Sequence, residues 1–157
     1  MELHKLSQYG ILLSCGFVLA GEARADNCSG YDVLVSQSAE TIDLGKGQTL
    51  TAVRNYSMIV NNDPKSRDHL VVGECNGTFM NLPNGQSTGS GMCARKDKDG
   101  DTYSLQWAIA PGADKGTWKG ITGTGKFANE SANSGWWQNA AADGKVFATK
   151  WGGNCNW

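Results

Sequence analysis

Short runs of alternating apolar and polar residues recur along the chain after residue 26, and helical periodicity is weak throughout. The run from 103 to 109 shows this best, because Tyr103, Leu105, Trp107 and Ile109 occupy one face of an extended segment. Similar runs bounded by Gly, Asn, Asp and Pro predict strands near 31–37, 48–61, 69–80, 87–95, 101–110, 115–122, 134–140 and 144–151. Eight sequential strands with short connections indicate an all-β fold, either an up-and-down barrel or a sandwich.

The N-terminus has the order of a secretory signal. A basic residue, Lys5, precedes an apolar run from 11 to 21, which is followed by the small-x-small sequence at 23–25. This run of about 11 residues is shorter than the roughly 20 that a transmembrane helix needs, and no later stretch is as apolar. We therefore predict a cleaved signal peptide over residues 1–25, one barrel domain over 26–157, a secreted or periplasmic location and no membrane span.

Four cysteines follow the predicted signal: Cys28, Cys75, Cys93 and Cys155. In an exported protein such cysteines are typical of disulfides, and four of them allow three pairings. Cys75 and Cys93 lie in strand-like runs on either side of a Gly-rich turn, which favours their pairing and leaves Cys28 with Cys155 to join the chain ends. No Cys-x-x-Cys spacing occurs and only His69 remains after cleavage, so a zinc site is disfavoured.

Charge and composition narrow the classes of partner. The chain has 14 Lys and Arg against 15 Asp and Glu, so it lacks the basic surface that phosphate contacts require, and we predict no nucleic-acid partner. Its 21 glycines and 6 tryptophans are the most unusual feature. The tryptophans either supply core volume that aliphatic residues do not, or line a pocket for a planar or sugar ligand. In the second case the ligand-binding candidates are Trp107, Trp118, Trp136 and Trp151.

Three side chains are candidates for acid–base chemistry: Glu74, Arg95 and Tyr103. Glu74 lies in an otherwise apolar strand, and in a barrel interior its pKa would be raised by desolvation. Two other placements stay open, an interior ion pair with Arg95 on the neighbouring strand or an exposed position. The sequence has no Gly-x-Ser-x-Gly nucleophile motif and no phosphate-binding glycine loop, so no cofactor is expected and catalysis itself stays open.

An acidic turn at Asp97, Asp99 and Asp101 resembles a calcium loop. In an EF-hand pattern the glycine would come later than Gly100, and the twelfth position, Ala108, has no ligand oxygen in its side chain. The turn is therefore interpreted as a polar hairpin connection, with a weak structural Ca²⁺ site as the alternative.

Five segments together resemble a known family: GECNGTF at 73–79, GSGMC at 89–93, DKDGD at 97–101, GTW at 116–118 and GTGKF at 123–127. Their order is similar to that in small secreted bacterial proteins of the allene oxide cyclase-like and dirigent-like barrel group, over residues 69–152. The chain departs from that pattern at 121–122, where a second glycine is common, and at Asn129-Glu130, where a glycine is usual. The resemblance implies a barrel with a cavity for a small apolar or phenolic ligand, and no catalytic residue of the family is carried over.

Combined with this resemblance, the pattern predicts a single antiparallel, calycin-like β-barrel of about eight strands, stapled by disulfides. The predicted function is to bind a small apolar or aromatic molecule, with cofactor-independent guidance of its cyclisation or isomerisation as the candidate reaction. The alternative is a non-enzymatic secreted or envelope interaction protein whose barrel is filled by its own side chains. A cavity of a few hundred Å³ that contains Glu74 or Tyr103 would favour the first hypothesis. The sequence leaves the oligomeric state open.

Overall fold

The computed structural model describes residues 27–156, which form a closed antiparallel barrel. Its strands are β1 (Cys28–Gly45), β2 (Gln48–Asn61), β3 (Val72–Asn81), β4 (Ser87–Lys96), β5 (Thr102–Ile109), β6 (Gly116–Gly123), β7 (Ser134–Asp143) and β8 (Val146–Asn154). Each strand pairs with the next, and β8 pairs with β1. The predicted all-β barrel of eight strands is confirmed, and the sandwich alternative is wrong. The predicted signal peptide at 1–25 lies outside the described residues.

Several strand boundaries differ from the prediction, and tertiary structure explains two of these differences. β1 continues past residue 37 to Gly45, because it pairs with β2 in a hairpin whose outer part is exposed on both faces. The alternation signal is weak there, since neither face is buried. β3 begins at Val72, not at His69, because residues 62–71 form a connection that folds back toward β2 through hydrogen bonds between Ile59 and Val71 and between Ile59 and Leu70.

The two ends of the barrel are built differently. The β1–β2, β3–β4, β5–β6 and β7–β8 turns lie at one end, and the β4–β5 turn lies at the other end with the longer β2–β3 and β6–β7 connections. The second of these contains two short 3₁₀ helices, Gly125–Phe127 and Glu130–Ala132. Val71 and Phe127 are almost fully buried, and the Arg67 side chain donates a hydrogen bond of 3.2 Å to the Lys126 carbonyl, which joins the two connections. These two connections, residues 62–71 and 124–133, close this end of the barrel and are called the plug. The other end forms the mouth.

Both disulfides have the predicted pairing. Cys28 is bonded to Cys155, which ties the first strand to the C-terminal segment, and Cys75 is bonded to Cys93 directly across from it on β4. Two disulfides in one small barrel are typical of an oxidising, extracellular environment. Within residues 27–156, no helix is long and apolar enough to cross a membrane.

Candidate functional site

A cavity of about 410 Å³ occupies the inside of the barrel. All eight strands contribute side chains to its wall, and the plug contributes Asp68 and Glu130 at the closed end. Toward the mouth the wall is mainly apolar and aromatic, and near the plug it is polar. The barrel is therefore only partly filled by its own side chains, and a small molecule fits the remaining space.

Four indole side chains line the cavity: Trp107, Trp118, Trp137 and Trp151. Trp107 stacks on Phe79 with ring centroids 5.2 Å apart and meets Trp137 edge-on at 5.9 Å. Trp118 and Trp151 form a second edge-on pair with centroids 6.3 Å apart. Three of the four predicted ligand-binding tryptophans therefore lie on the cavity wall.

Interior glycines make room for these rings. Residues Gly77 on β3 and Gly91 on β4 are cross-strand partners, and a Cβ on either would overlap the six-membered ring of Trp107. The indole consequently lies directly against the backbone of two strands. The high glycine and tryptophan content of the chain is thus one structural feature, because the glycines provide the surface on which the large rings pack.

Trp136 is the exception among the predicted tryptophans. It lies outside the cavity, with the Lys115 ammonium 4.3 Å from its ring centroid. Successive side chains of a strand point to opposite faces, so the neighbouring Trp137 faces inward instead. The assignment of Trp136 to the cavity wall is therefore corrected to Trp137.

A buried ion pair crosses the cavity between β4 and β1. The Arg95 guanidinium is bound to the Asp32 carboxylate through Nη2, and its Nε donates to the Ser57 hydroxyl at 3.1 Å. Ser57 in turn donates to Asp32 Oδ1 at 2.6 Å. Burial raises the pKa of Asp32, and the guanidinium opposes that shift. The charge of Arg95 is therefore balanced by Asp32, and we interpret Arg95 as a structural residue that links β4 to β1.

Tyr103 also faces the interior. It is 5 % exposed, its ring packs 4.8 Å from that of Phe127, and the Arg95 guanidinium carbon lies 5.8 Å from its ring centroid. Burial raises the pKa of the Tyr103 hydroxyl above its usual range. The phenol therefore stays protonated at neutral pH and can donate or accept a hydrogen bond as a neutral group.

Glu130, in the plug, is a candidate functional side chain that the sequence pattern did not indicate. It is 1 % exposed; its Oε2 accepts a hydrogen bond of 2.8 Å from Asn133, and its Oε1 has no hydrogen-bond partner among the described residues. Burial raises the pKa of Glu130 to about 7. The available signal was the departure at Asn129-Glu130 from the family pattern, in a segment otherwise too polar to suggest burial.

Asp68 is a second buried acid at the closed end, 2 % exposed. Its Oδ1 accepts hydrogen bonds from Asn61 at 2.8 Å and from Ser66 at 2.5 Å. Burial raises the pKa of this carboxyl, and the two hydrogen bonds oppose the shift. Asp68 therefore accepts two hydrogen bonds, whereas Glu130 accepts one, from Asn133.

Glu74 does not lie in the cavity. It is on the outer face of β3, where its carboxylate accepts hydrogen bonds of 2.8 and 3.1 Å from Arg54. The hydrogen bond from Arg54 lowers the pKa of Glu74. Both interior predictions for Glu74, as an acid–base group and as the partner of Arg95, are therefore wrong. The cause is the register of β3, which turns Cys75 inward and Glu74 outward.

The acidic turn at 97–101 is bound by Lys126 from the β6–β7 connection. Lys126 forms ion pairs with Asp97 and, at 3.5 Å, with Asp99, while its backbone amide donates to Asp101 at 3.1 Å. The hydrogen bond from Lys126 lowers the pKa of Asp97. Within residues 27–156 no group of three or more His, Cys, Asp or Glu side chains could hold a metal ion. The turn therefore docks the β6–β7 connection onto the barrel.

Comparison with known proteins gives a likeness of fold. No family model and no curated protein matches the chain. Solved structures similar to it include an enzyme from Penicillium herquei, with a TM-score of 0.61 and 13% identity over 82% of this chain and 95% of that one. They also include a pterocarpan synthase dirigent protein, with a TM-score of 0.49 and 12% identity over 97% of this chain and 96% of that one. At such identities the likeness concerns the barrel architecture alone.

Proposed function

We propose that this barrel binds a small apolar or aromatic molecule in its interior and guides the cyclisation or isomerisation of that molecule without a cofactor. The observation that carries the proposal is the open cavity of about 410 Å³, with tryptophan walls and, at its closed end, the Glu130 carboxyl, whose Oε1 has no hydrogen-bond partner among the described residues. Apolar cavities with a few convergent polar groups are typical small-molecule sites. The filled-barrel alternative would require this space to be occupied by side chains.

The aromatic wall supplies binding and orientation. Planar rings of a ligand would pack against Trp107 and Trp137, where apolar contact and ring stacking both stabilise the complex. The indole N–H group of Trp151 has no acceptor among the described residues, and it would offer a donor to a ligand oxygen. A ligand held by both contacts has one preferred orientation, which is how a barrel can direct the stereochemistry of a reactive molecule.

Glu130 supplies the proton transfer. A pKa near 7 leaves comparable amounts of acid and carboxylate at neutral pH, which suits both proton donation and proton uptake. In a cyclisation, an O–H or N–H group of the ligand adds to a conjugated carbonyl of the same molecule. Glu130 takes the proton as the new bond to carbon forms and the C=C π bond breaks. The same proton then returns to the neighbouring carbon, so the product is an isomer of the substrate.

Family membership and export belong to the same proposal. A cleaved signal over residues 1–25 would deliver the 26–157 domain to the compartment that its disulfides require. The likeness to small secreted bacterial members of the allene oxide cyclase-like and dirigent-like group would place this chain among proteins that shape a reactive substrate. The binding test below depends on neither export nor family membership.

The binding test uses 2-naphthol as the probe and isothermal titration calorimetry as the measurement. Thr149 lines the cavity and Thr117 lies exposed on the outer face, so Thr149→Phe and Thr117→Phe make the same substitution inside and outside the barrel. We expect the native protein and Thr117→Phe to bind the probe equally, and Thr149→Phe to bind it at least roughly tenfold more weakly. Equal binding by all three folded proteins would refute an interior site.

A further inference from the structure

The charged groups of the cavity are unbalanced. Among the described residues that line it, three carry carboxyls, Asp32, Asp68 and Glu130, and one carries a cation, Arg95. The guanidinium of Arg95 is bound to Asp32, so this pair is neutral as a unit. The remaining two acids therefore determine the charge that the cavity presents to a ligand.

Asp68 and Glu130 differ in the hydrogen bonds that their carboxyl groups accept. Asp68 accepts hydrogen bonds from Asn61 and Ser66 within its own part of the plug. One oxygen of Glu130 accepts a hydrogen bond from Asn133, and the other has no donor within residues 27–156, although the side chain is only 1 % exposed and lines the cavity. A buried carboxylate oxygen without a donor is costly, so a donor supplied by the ligand is strongly favoured at this position.

We propose that the ligand is an organic cation, an aromatic or alicyclic amine whose ammonium group donates a hydrogen bond to Glu130 and whose apolar body packs against the tryptophans. This inference rests on the proposed function and names its substrate class. The nitrogen is then the atom that adds to the conjugated C=C bond in the cyclisation. Glu130 takes one ammonium proton, the C–N bond forms as the C=C π bond breaks, and the proton passes to the neighbouring carbon.

Two physical features favour an ammonium over a hydroxyl. A hydrogen bond between two charged groups is about twice as strong as a neutral one, and the low dielectric of a buried site strengthens it further. The faces of Trp107, Trp118, Trp137 and Trp151 carry partial negative charge, which attracts a cation. The same features disfavour carboxylate ligands, because a carboxylate would place a further negative charge beside the Asp68 and Glu130 carboxyls.

The test uses three probes of one shape and different charge: 2-naphthylmethylamine, 2-naphthalenemethanol and 2-naphthoate. At pH 7.5 we expect calorimetry to show the amine binding about ten- to a hundredfold more tightly than the alcohol, and the carboxylate binding most weakly. Glu130→Gln should remove the preference for the amine and keep the binding of the alcohol. Glu74→Gln removes an acid from the outer face and should leave the preference unchanged.

A second readout covers the case in which Glu130→Gln does not fold. Binding of the amine to the native protein at pH 7 should release protons from Glu130, seen as a binding heat that depends on the ionisation enthalpy of the buffer. Binding of the alcohol should not. Asp68, Arg95 and Tyr103 also face this carboxyl, and of these Arg95 and Tyr103 keep their protonation at pH 7.

The outcomes separate the two proposals. If the alcohol binds as tightly as the amine, or if Glu130→Gln keeps the preference, the organic-cation proposal is overturned and ligand binding stands. If none of the three naphthalene probes binds and 2-naphthol does not bind either, both proposals are overturned. Tighter binding of 2-naphthoate than of the amine would also overturn the cation proposal, since it would show that the cavity accepts anions.

Discussion

Replacing Asp32 by Asn should strongly destabilise the barrel, because it leaves the Arg95 guanidinium buried without a counter-charge. The two side chains are only 10% and 4% exposed, respectively. Removing one partner of such a pair costs about 3–5 kcal/mol, a large part of the roughly 5–15 kcal/mol that stabilises a domain. With a urea m-value of about 2 kcal/mol/M, a loss of about 4 kcal/mol moves the unfolding midpoint down by about 2 M.

Two further variants make the assay specific. In the double variant Asp32→Asn with Arg95→Met no buried charge lacks a partner, so most of the lost stability should return. Glu74→Gln breaks the exposed pair with Arg54 and should barely move the urea midpoint, because such pairs are screened by solvent. A small effect of Asp32→Asn alone, or a double variant as unstable as the single one, would refute the assignment of Arg95 and Asp32 as a buried charge pair.

The remaining predictions concern pH, the longer disulfide and the plug. The pKa of Glu130 is about 7 in the folded chain against 4.5 for an exposed Glu, so the folded chain keeps this proton to a higher pH than the unfolded chain does. The stability that this carboxyl contributes is therefore fully present below pH 4.5. As the pH rises to 7, the free energy of unfolding falls by about 3 kcal/mol. Urea midpoints between pH 4.5 and 7.5 should therefore fall more steeply for the native protein than for Glu130→Gln. Cys28→Ser with Cys155→Ser opens a loop of 127 residues and should cost about 4–5 kcal/mol of unfolding free energy. Gly120→Ala places a Cβ against the Glu130 carbonyl, so it should lower the thermal midpoint and weaken binding of 2-naphthol.

Each of these has an outcome that contradicts it. Parallel pH curves for the native protein and Glu130→Gln would mean that this carboxyl titrates as an exposed group. The double variant Cys75→Ser with Cys93→Ser opens a loop of only 18 residues and serves as the comparison. If Cys28→Ser with Cys155→Ser loses no more stability than this variant, the entropic explanation of the longer disulfide is wrong. An unchanged thermal midpoint and affinity in Gly120→Ala would show that the plug is loosely held.

The inward face of the barrel could be predicted from sequence where alternation was strong. Tyr103, Leu105 and Trp107 line the cavity as the pattern in β5 indicated, because one face of that strand is buried and the other is exposed. In β3 the same reasoning failed for Glu74. Val72 and Leu70 are apolar yet 52% and 56% exposed, so the apolar neighbours of Glu74 lie on the outside of the barrel. A shift of one residue reverses every side chain of a strand.

Glu130 could not be predicted, for a different reason. Its burial depends on how the β6–β7 connection folds over the end of the barrel, and that is set by tertiary contacts and not by local pattern. Phe127 anchors the connection against Tyr103, and the carbonyl of Asn133 accepts a hydrogen bond from Gly120 at 2.9 Å. Glu130 lies between these two anchors, so its side chain is buried although the surrounding segment is polar. The proposed function therefore depends on a segment in which secondary-structure signals are weak.

The structure of crystals soaked with 2-naphthol tests the central claim most directly. We expect electron density for the ring inside the barrel, packed against the indoles of Trp107 and Trp137, with the hydroxyl directed toward Glu130. Density found only on the outer face, or an interior closed by repacked side chains with no room for the ring, would contradict the claim that this barrel is a ligand site.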